Sequence, residues 1–335
     1  MPNLLLNPDI YGNSVIFICC DNLWEYNLGT HETRKLVSGI GVINNARFFP
    51  DGKRIVLRVM RGASLNTAEL YTYDLSDGSL RRITYFAGKS TGRRMFTDVA
   101  GFDPDGGLII ATDAMQPFSS MTYLYAVEGD GLNFRPLNLG PATHIIYAGN
   151  RRIIGRNTYE LPHWKGYRGG TRGKIWIESD DGKFKKIIDI ETHVSSPVLV
   201  GQRIYFITDL EGFGQIYSTD LDGKDMRKHT DFRDYYPRHL NTDGKRIVFS
   251  MGGSLYIFNP DDEKVERLEI GDVESPEDRV TSVPSKFLED FSILDGDLIA
   301  LVSRGQAFIQ DASGNYVMKV CLLYTSDAAD ERSSV

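Results

Sequence analysis

Leu70-Tyr71-Thr72-Tyr73-Asp74 is an apolar, aromatic and alternating run. It is followed by Asp77-Gly78 and then by Leu80-Arg81-Arg82-Ile83-Thr84; before it come Pro50-Asp51-Gly52 and Arg54-Ile55-Val56-Leu57. Alternation of apolar and polar residues is the mark of half-buried strands, and Asp-Gly supplies the positive φ that tight hairpins need, so the stretch predicts a small antiparallel sheet. The central phrase recurs as Leu23-Trp24-Glu25-Tyr26-Asn27, Leu124-Tyr125-Ala126-Val127, Ile175-Trp176-Ile177-Glu178, Ile216-Tyr217-Ser218-Thr219-Asp220 and Leu255-Tyr256-Ile257-Phe258-Asn259, its anchors 39 to 54 residues apart. A β-branched strand precedes most copies, as in Leu108-Ile109-Ile110-Ala111, Arg203-Ile204-Tyr205-Phe206 and Arg246-Ile247-Val248-Phe249. Turns at Pro104-Asp105-Gly106, Asp181-Gly182, Asp222-Gly223 and Asp243-Gly244 punctuate them. That period and grammar predict an all-β chain whose residues 1–271 form a six-bladed β-propeller of four-stranded antiparallel blades. No amphipathic run with caps predicts a helix.

Beyond Gly271 the segment Asp272-Val273-Glu274-Ser275-Pro276-Glu277-Asp278-Arg279 is charged and contains proline, and residues 272–287 read as a linker. The strand grammar then restarts in residues 288–320, with Phe291-Ser292-Ile293, Leu298-Ile299-Ala300, Gln306-Ala307-Phe308-Ile309-Gln310 and Tyr316-Val317-Met318-Lys319-Val320. This unit either completes a seven-bladed ring or is the first blade of a second propeller; the charged linker favours the second. Residues 321–335, beginning Cys321-Leu322-Leu323-Tyr324-Thr325-Ser326-Asp327, fit neither blade nor linker. They look like the translation of a sequencing adaptor, a non-native tail, so Cys321 carries no functional weight.

The 335 residues carry a net charge of -7, which argues against nucleic acid and anionic membranes as partners. The N-terminal Met1-Pro2-Asn3-Leu4-Leu5-Leu6-Asn7 lacks the basic and apolar regions of a signal peptide, and no stretch approaches the roughly 18 apolar residues of a membrane span. Three cysteines, with Cys19 and Cys20 adjacent, make no disulfide framework; a cytoplasmic setting is expected. The alternation places Cys19 and Cys20 on one strand, facing opposite ways.

The chemistry-bearing candidates lie in loops. Gly88-Lys89-Ser90-Thr91-Gly92 matches the serine-hydrolase elbow pattern and part of a phosphate loop, but no helix follows and Ile83 stands where the phosphate loop needs glycine. Gly92-Arg93-Arg94-Met95 offers two adjacent guanidinium forks able to grip a carboxylate, against the plain reading of a solvated basic loop. His163-Trp164-Lys165-Gly166-Tyr167-Arg168-Gly169-Gly170-Thr171-Arg172-Gly173-Lys174 is a basic, aromatic insertion suited to contact a ligand, to pack on a neighbouring subunit or to close the propeller channel. The six histidines show no metal-ligand spacing, and neither metal nor cofactor is expected.

The irregular loops carry a resemblance. Gly41-Val42-Ile43-Asn44-Asn45-Ala46-Arg47-Phe48-Phe49-Pro50-Asp51-Gly52, residues 88–105 and 112–120, and Leu161-Pro162-His163-Trp164-Lys165-Gly166-Tyr167-Arg168 resemble the N-terminal propeller of the tricorn protease family, a likeness running from Met1 to about Val320. The resemblance implies a six-bladed propeller, then a seven-bladed one, then PDZ-like and serine-peptidase domains. It implies a cytoplasmic homohexamer trimming short peptides released by the proteasome, with peptide substrates or products as its partners. By the same resemblance, Arg93 and Arg94 match an arginine pair that anchors the substrate's C-terminal carboxylate. The family's catalytic Ser, His and Glu belong to other domains, so no catalytic residue is assigned to this chain. A free-standing binding propeller and the propeller of a prolyl-oligopeptidase-like enzyme are the rival readings.

Overall fold

The computed structural model describes residues 4–60, 68–86, 96–117, 121–128, 133–160, 165–271, 273, 287–293, 298–304, 306–311 and 317–320. Strands follow one another without an α-helix among the described residues. The first sheet comprises β1 (Leu6–Tyr11), β2 (Ser14–Cys19), β3 (Asn22–Asn27) and β4 (Thr33–Val37). The second comprises β5 (Val42–Phe48), β6 (Arg54–Met60), β7 (Ala68–Asp74) and β8 (Leu80–Arg82); the third β9 (Thr97–Phe102), β10 (Leu108–Thr112), β11 (Tyr123–Glu128) and β12 (Asn133–Pro136). The fourth holds β13 (His144–Ala148), β14 (Arg151–Arg156), β15 (Lys174–Glu178) and β16 (Phe184–Ile188); the fifth β17 (Val194–Val200), β18 (Arg203–Thr208), β19 (Gln215–Asp220) and β20 (Arg227–Lys228). The sixth holds β21 (Arg238–Thr242), β22 (Ile247–Met251), β23 (Ser254–Asn259) and β24 (Lys264–Arg267). Every sheet is antiparallel and built from four strands consecutive in sequence.

Neighbouring sheets meet in cyclic order, through their first strands at β1 against β5 and β21, β13 against β9 and β17, and β17 against β21, and through β6 and β7 against β9 between the second sheet and the third. The six sheets are therefore blades of a closed β-propeller, with their first strands innermost. The second strand of a blade is buried on both faces, as in β10 and β18. Outer strands such as β8, β20 and β24 are mostly exposed. The core is a set of apolar layers between adjacent blades. One layer packs Ile16, Leu23, Ile43 and Leu57; another packs Ile153, Ile175, Ile204 and Phe206. Each such side chain, once buried, contributes about 1.5–3 kcal/mol, which explains why the second strands are continuous apolar runs rather than alternating ones.

The Asp-Gly turns work differently from the simplest hairpin. Only the glycine takes positive φ, 67° at Gly52, 71° at Gly78 and 86° at Gly244. The aspartate instead accepts a backbone bond two residues on: Lys53 N to Asp51 Oδ1 at 2.8 Å, Ser79 N to Asp77 Oδ1 at 2.8 Å, Lys245 N to Asp243 Oδ1 at 3.0 Å. The two cysteines also depart from expectation. Cys19 ends β2, whereas Cys20 lies in the turn, because a two-residue connection to β3 forces the chain to reverse there.

Among the described residues no strand is exchanged to seal the ring, since the sixth blade uses β21–β24 alone. Closure rests on hydrogen bonds to the first blade: Leu5 N to Gly253 O at 2.9 Å, Asn241 Nδ2 to Pro8 O at 2.7 Å, and Arg246 Nη2 to Gly12 O. The chain divides into two compact units, Leu5–Ile270 and a second that holds Gly271 onward with Met1–Leu4. The second contains a four-stranded sheet of its own: β25 (Leu288–Ile293), β26 (Leu298–Ser303), β27 (Gln306–Asp311) and β28 (Val317–Val320). All six residues of β25 are exposed, with Phe291 at 61% and Ile293 at 75%.

Candidate ligand-contact face

Antiparallel blades send two kinds of connection to one face of the ring: those from a blade's second strand to its third, and those from its outer strand to the next blade. Within Leu5–Ile270 the longest connections all belong to these kinds. They are the β10–β11 and β14–β15 connections within blades, and the β8–β9 and β20–β21 connections between blades. Arg93 and Arg94 belong to the β8–β9 connection and lie outside the described residues, as do Gly88, Ser90, His163 and Trp164.

The described part of the β14–β15 insertion is tied down. Gly166 N donates to Asp209 Oδ2, and Lys165 Nζ lies 5.3 Å from the centre of the Tyr236 ring. Tyr167 Oη and Thr171 Oγ1 are 2.7 Å apart. Arg172 donates to Ile190 O at 2.7 Å and to Asp189 Oδ1 at 2.9 Å; Lys174 Nζ stands 3.8 Å from the same carboxylate oxygen. The nearby ammonium of Lys186 bonds to Asp189 and holds its carboxyl below the usual range, against a smaller effect of burial. Arg168 differs: its pairing with Glu191, at 4.0 Å, is almost fully solvated. Gly173 marks the closest approach, since a Cβ there would sit 1.9 Å from Val194 O.

Beside the insertion, at the seam of the fourth, fifth and sixth blades, a pocket of about 40 Å³ is lined by Glu160, Lys165, His193, Asp209, Tyr236 and Arg238 among others. Glu160 joins three blades. It accepts from Ser196 Oγ at 2.9 Å and from His239 N, and Arg238 Nη1 lies 3.6 Å away. Gly173 N donates to His193 Nδ1 at 3.0 Å, so the proton is on Nε2, which donates to Tyr159 O at 2.9 Å. Burial pushes the pKa of His193 down, partly offset by that carbonyl and by the charges of Asp209 and Glu160.

With both ring nitrogens occupied by backbone groups, His193 cannot take a proton from Ser196, whose hydroxyl is already given to Glu160. Two carboxylates and two cations around a small cavity suit binding and orientation of polar groups. Among the described residues no group of three or more His, Cys, Asp or Glu is placed to hold a metal ion, and no helix is long and apolar enough to cross a membrane. Sequence reasoning missed Glu160, His193, Asp209, Tyr236 and Arg238. One signal was present: Thr112-Asp113 and Thr208-Asp209 end equivalent strands, and each aspartate receives a backbone bond, from Phe96 N and Gly166 N respectively.

Comparison with known proteins agrees with this architecture. A family profile described as the tricorn protease N-terminal beta propeller domain matches residues 2–264. Tricorn protease of Thermoplasma acidophilum is 77% identical over 320 residues, covering 96% of this chain and 30% of the relative. That of Thermoplasma volcanium is 57% identical, covering 96% and 31%. A crystal structure of tricorn protease superposes with a TM-score of 0.82 at 76% identity, over 96% of this chain and 32% of that one. The chain thus spans about a third of the length of these relatives. Prolyl endopeptidase, at 11% identity and a TM-score of 0.50, shares the fold alone. The chain belongs to the family of tricorn protease N-terminal beta propeller domains.

Proposed function

We propose that this chain is the propeller region of a tricorn-type serine peptidase, gating and anchoring peptides for catalytic domains that the parent protein carries elsewhere. In this reading the parent is a cytoplasmic homohexamer that degrades short peptides downstream of the proteasome. The observation that carries it is the 77% identity, over 320 residues, with a protein named tricorn protease. Residues 1–271 are the first propeller, 272–287 the linker, and 288–320 the first blade of a second, seven-bladed ring. Support for that last assignment comes from β25, whose six exposed residues contrast with the largely buried inner strands of the ring.

Arg93 and Arg94 anchor the peptide's C-terminal carboxylate. Their connection leaves the face that also carries the Glu160–Arg238 pocket, and paired guanidinium groups match a carboxylate bidentately. Hydrogen bonds to charged groups are worth roughly 1.5–3 kcal/mol, or about 10–100-fold in rate or affinity. In a full-length enzyme bearing this propeller, Arg93→Glu with Arg94→Glu lowers kcat/KM for peptides with a free C-terminus by that factor. Peptides with an amidated C-terminus are cleaved as before. Equal loss on both peptide types, or none on either, refutes the anchoring role.

A further inference from the structure

The first hairpin of the ring turns on two residues. Cys19 pairs with Asn22 across β2 and β3, leaving Cys20 and Asp21 as the whole connection. Both take left-handed backbone, φ 57° at Cys20 and 65° at Asp21, the geometry of a type I′ turn. Glycine and asparagine are the residues that suit that geometry, and cysteine is not among them. The turn brings two sulfurs together: Cys19 Sγ is 3.6 Å from Cys20 Sγ. Cys19 is fully buried and Cys20 half-exposed.

We infer that Cys19 and Cys20 form a reversible thiol-oxidation site, closed by a peroxide into a cyclic disulfide between adjacent residues. The reachable Cys20 thiolate attacks one oxygen of hydrogen peroxide. The O–O bond breaks, that oxygen stays on sulfur as a sulfenic acid, and the other leaves as water with the thiol proton. Cys19 then attacks the Cys20 sulfur. The S–S bond forms, and the sulfenic oxygen leaves as a second water with the Cys19 proton. Two thiols and one peroxide thus give one disulfide and two waters; sulfur is oxidised and peroxide oxygen reduced.

Adjacent Cα atoms are about 3.8 Å apart across a trans peptide, below the roughly 4.4–6.8 Å usual for a disulfide. The bridge is therefore strained, and strained bridges are the readily reduced ones, so the pair acts as a switch rather than a staple. Its ring contains the Cys19–Cys20 peptide, whose carbonyl accepts from Trp24 Nε1 at 3.2 Å. The next turn residue, Asp21, accepts at its carbonyl from Ile43 N of the second blade, also at 3.2 Å. Oxidation is thus felt at Trp24 and at the seam between the first two blades, on the face carrying the ligand-contact loops. The inference rests on this hairpin alone and is independent of the peptidase reading.

The test treats the 335-residue chain, carrying Cys321→Ser, with hydrogen peroxide, followed by intact mass and non-reducing peptide mapping. The expected result is a chain lighter by two hydrogens, bridged within the peptide that holds Cys19 and Cys20, and restored by dithiothreitol. Cys20→Gly, which suits the left-handed turn and so keeps the hairpin, abolishes the loss. Oxygen gained on Cys20 with no loss of hydrogen, a disulfide linking two chains, or an unchanged mass would each overturn the inference.

Discussion

His144 opens the inner strand of the fourth blade, with Nδ1 2.8 Å from Thr158 Oγ1 and 3.2 Å from Thr143 Oγ1. Burial lowers its pKa to about 3, helped by the like charges of Arg47 and His239. Burial lowers His193 and His229 as well. An unfolded histidine titrates near 6.5, so below that pH the unfolded chain binds more protons than the folded one. Stability is therefore lost as pH falls from about 6.5 toward the folded value, by at most about 1.4 kcal/mol per pH unit for each histidine. Glu178, held low by its bond from Arg152, and Asp189, held low by Lys186, shed their stabilisation only in the more acidic carboxylate range. Between about pH 6.5 and 5 the histidines therefore change stability and these two carboxylates do not, while buried Asp9, whose carboxyl burial pushes up, acts in the opposite sense. Replacing His144 with Gln should flatten this arm of the stability–pH curve in denaturant titrations; a curve parallel to that of the unaltered chain would show that His144 is not its source.

The β14–β15 insertion shows how an element acquires its shape from its neighbours. In sequence its arginines and lysines looked alike; in the fold Arg172 serves a carbonyl and a carboxylate, whereas Arg168 makes a solvated ion pair. A hydrogen bond to a charged group contributes about 1.5–3 kcal/mol, an exposed ion pair about 0–1 kcal/mol. Arg172→Ala should therefore free the insertion, raising the rate of limited proteolysis within residues 161–173 by roughly tenfold or more, while Arg168→Ala leaves it near that of the parent. Similar rates for the two variants would mean that Asp189 does not anchor the loop. The blade strands, by contrast, were legible because alternation and Asp-Gly turns are local signals. The Cys20 turn was not, because a cysteine carries no turn preference and its left-handed backbone is imposed by the pairing of β2 with β3.

At the scale of the molecule the question is how a ring whose described residues exchange no strand stays closed. Apolar layers hold most seams, and at the junction of first and last blades polar side chains reach across: Asn241 to the Pro8 carbonyl and Arg246 to that of Gly12. The same device recurs next door, where Asp9 Oδ2 accepts from Phe48 N at 2.7 Å. Asn241 is 6% exposed, so truncating it leaves a buried carbonyl without its donor, at a cost of about 1–3 kcal/mol. Asn241→Ala should lower unfolding stability by that amount in denaturant titrations. A change within about 0.5 kcal/mol, as for an ordinary surface substitution, would place closure in the apolar packing alone.

The sequence by itself determined the strands and the count of blades in the ring, because strand period and turn chemistry are written within a few residues of each other. Only the tertiary structure decided how the ring closes and which loop residues meet. Glu160 reaches Ser196 and His239, and Asp209 receives Gly166, across blades that are distant in sequence. No local pattern records such meetings, since they arise from closing the ring. The six blades thus rest on short-range physics, and the pocket on long-range geometry.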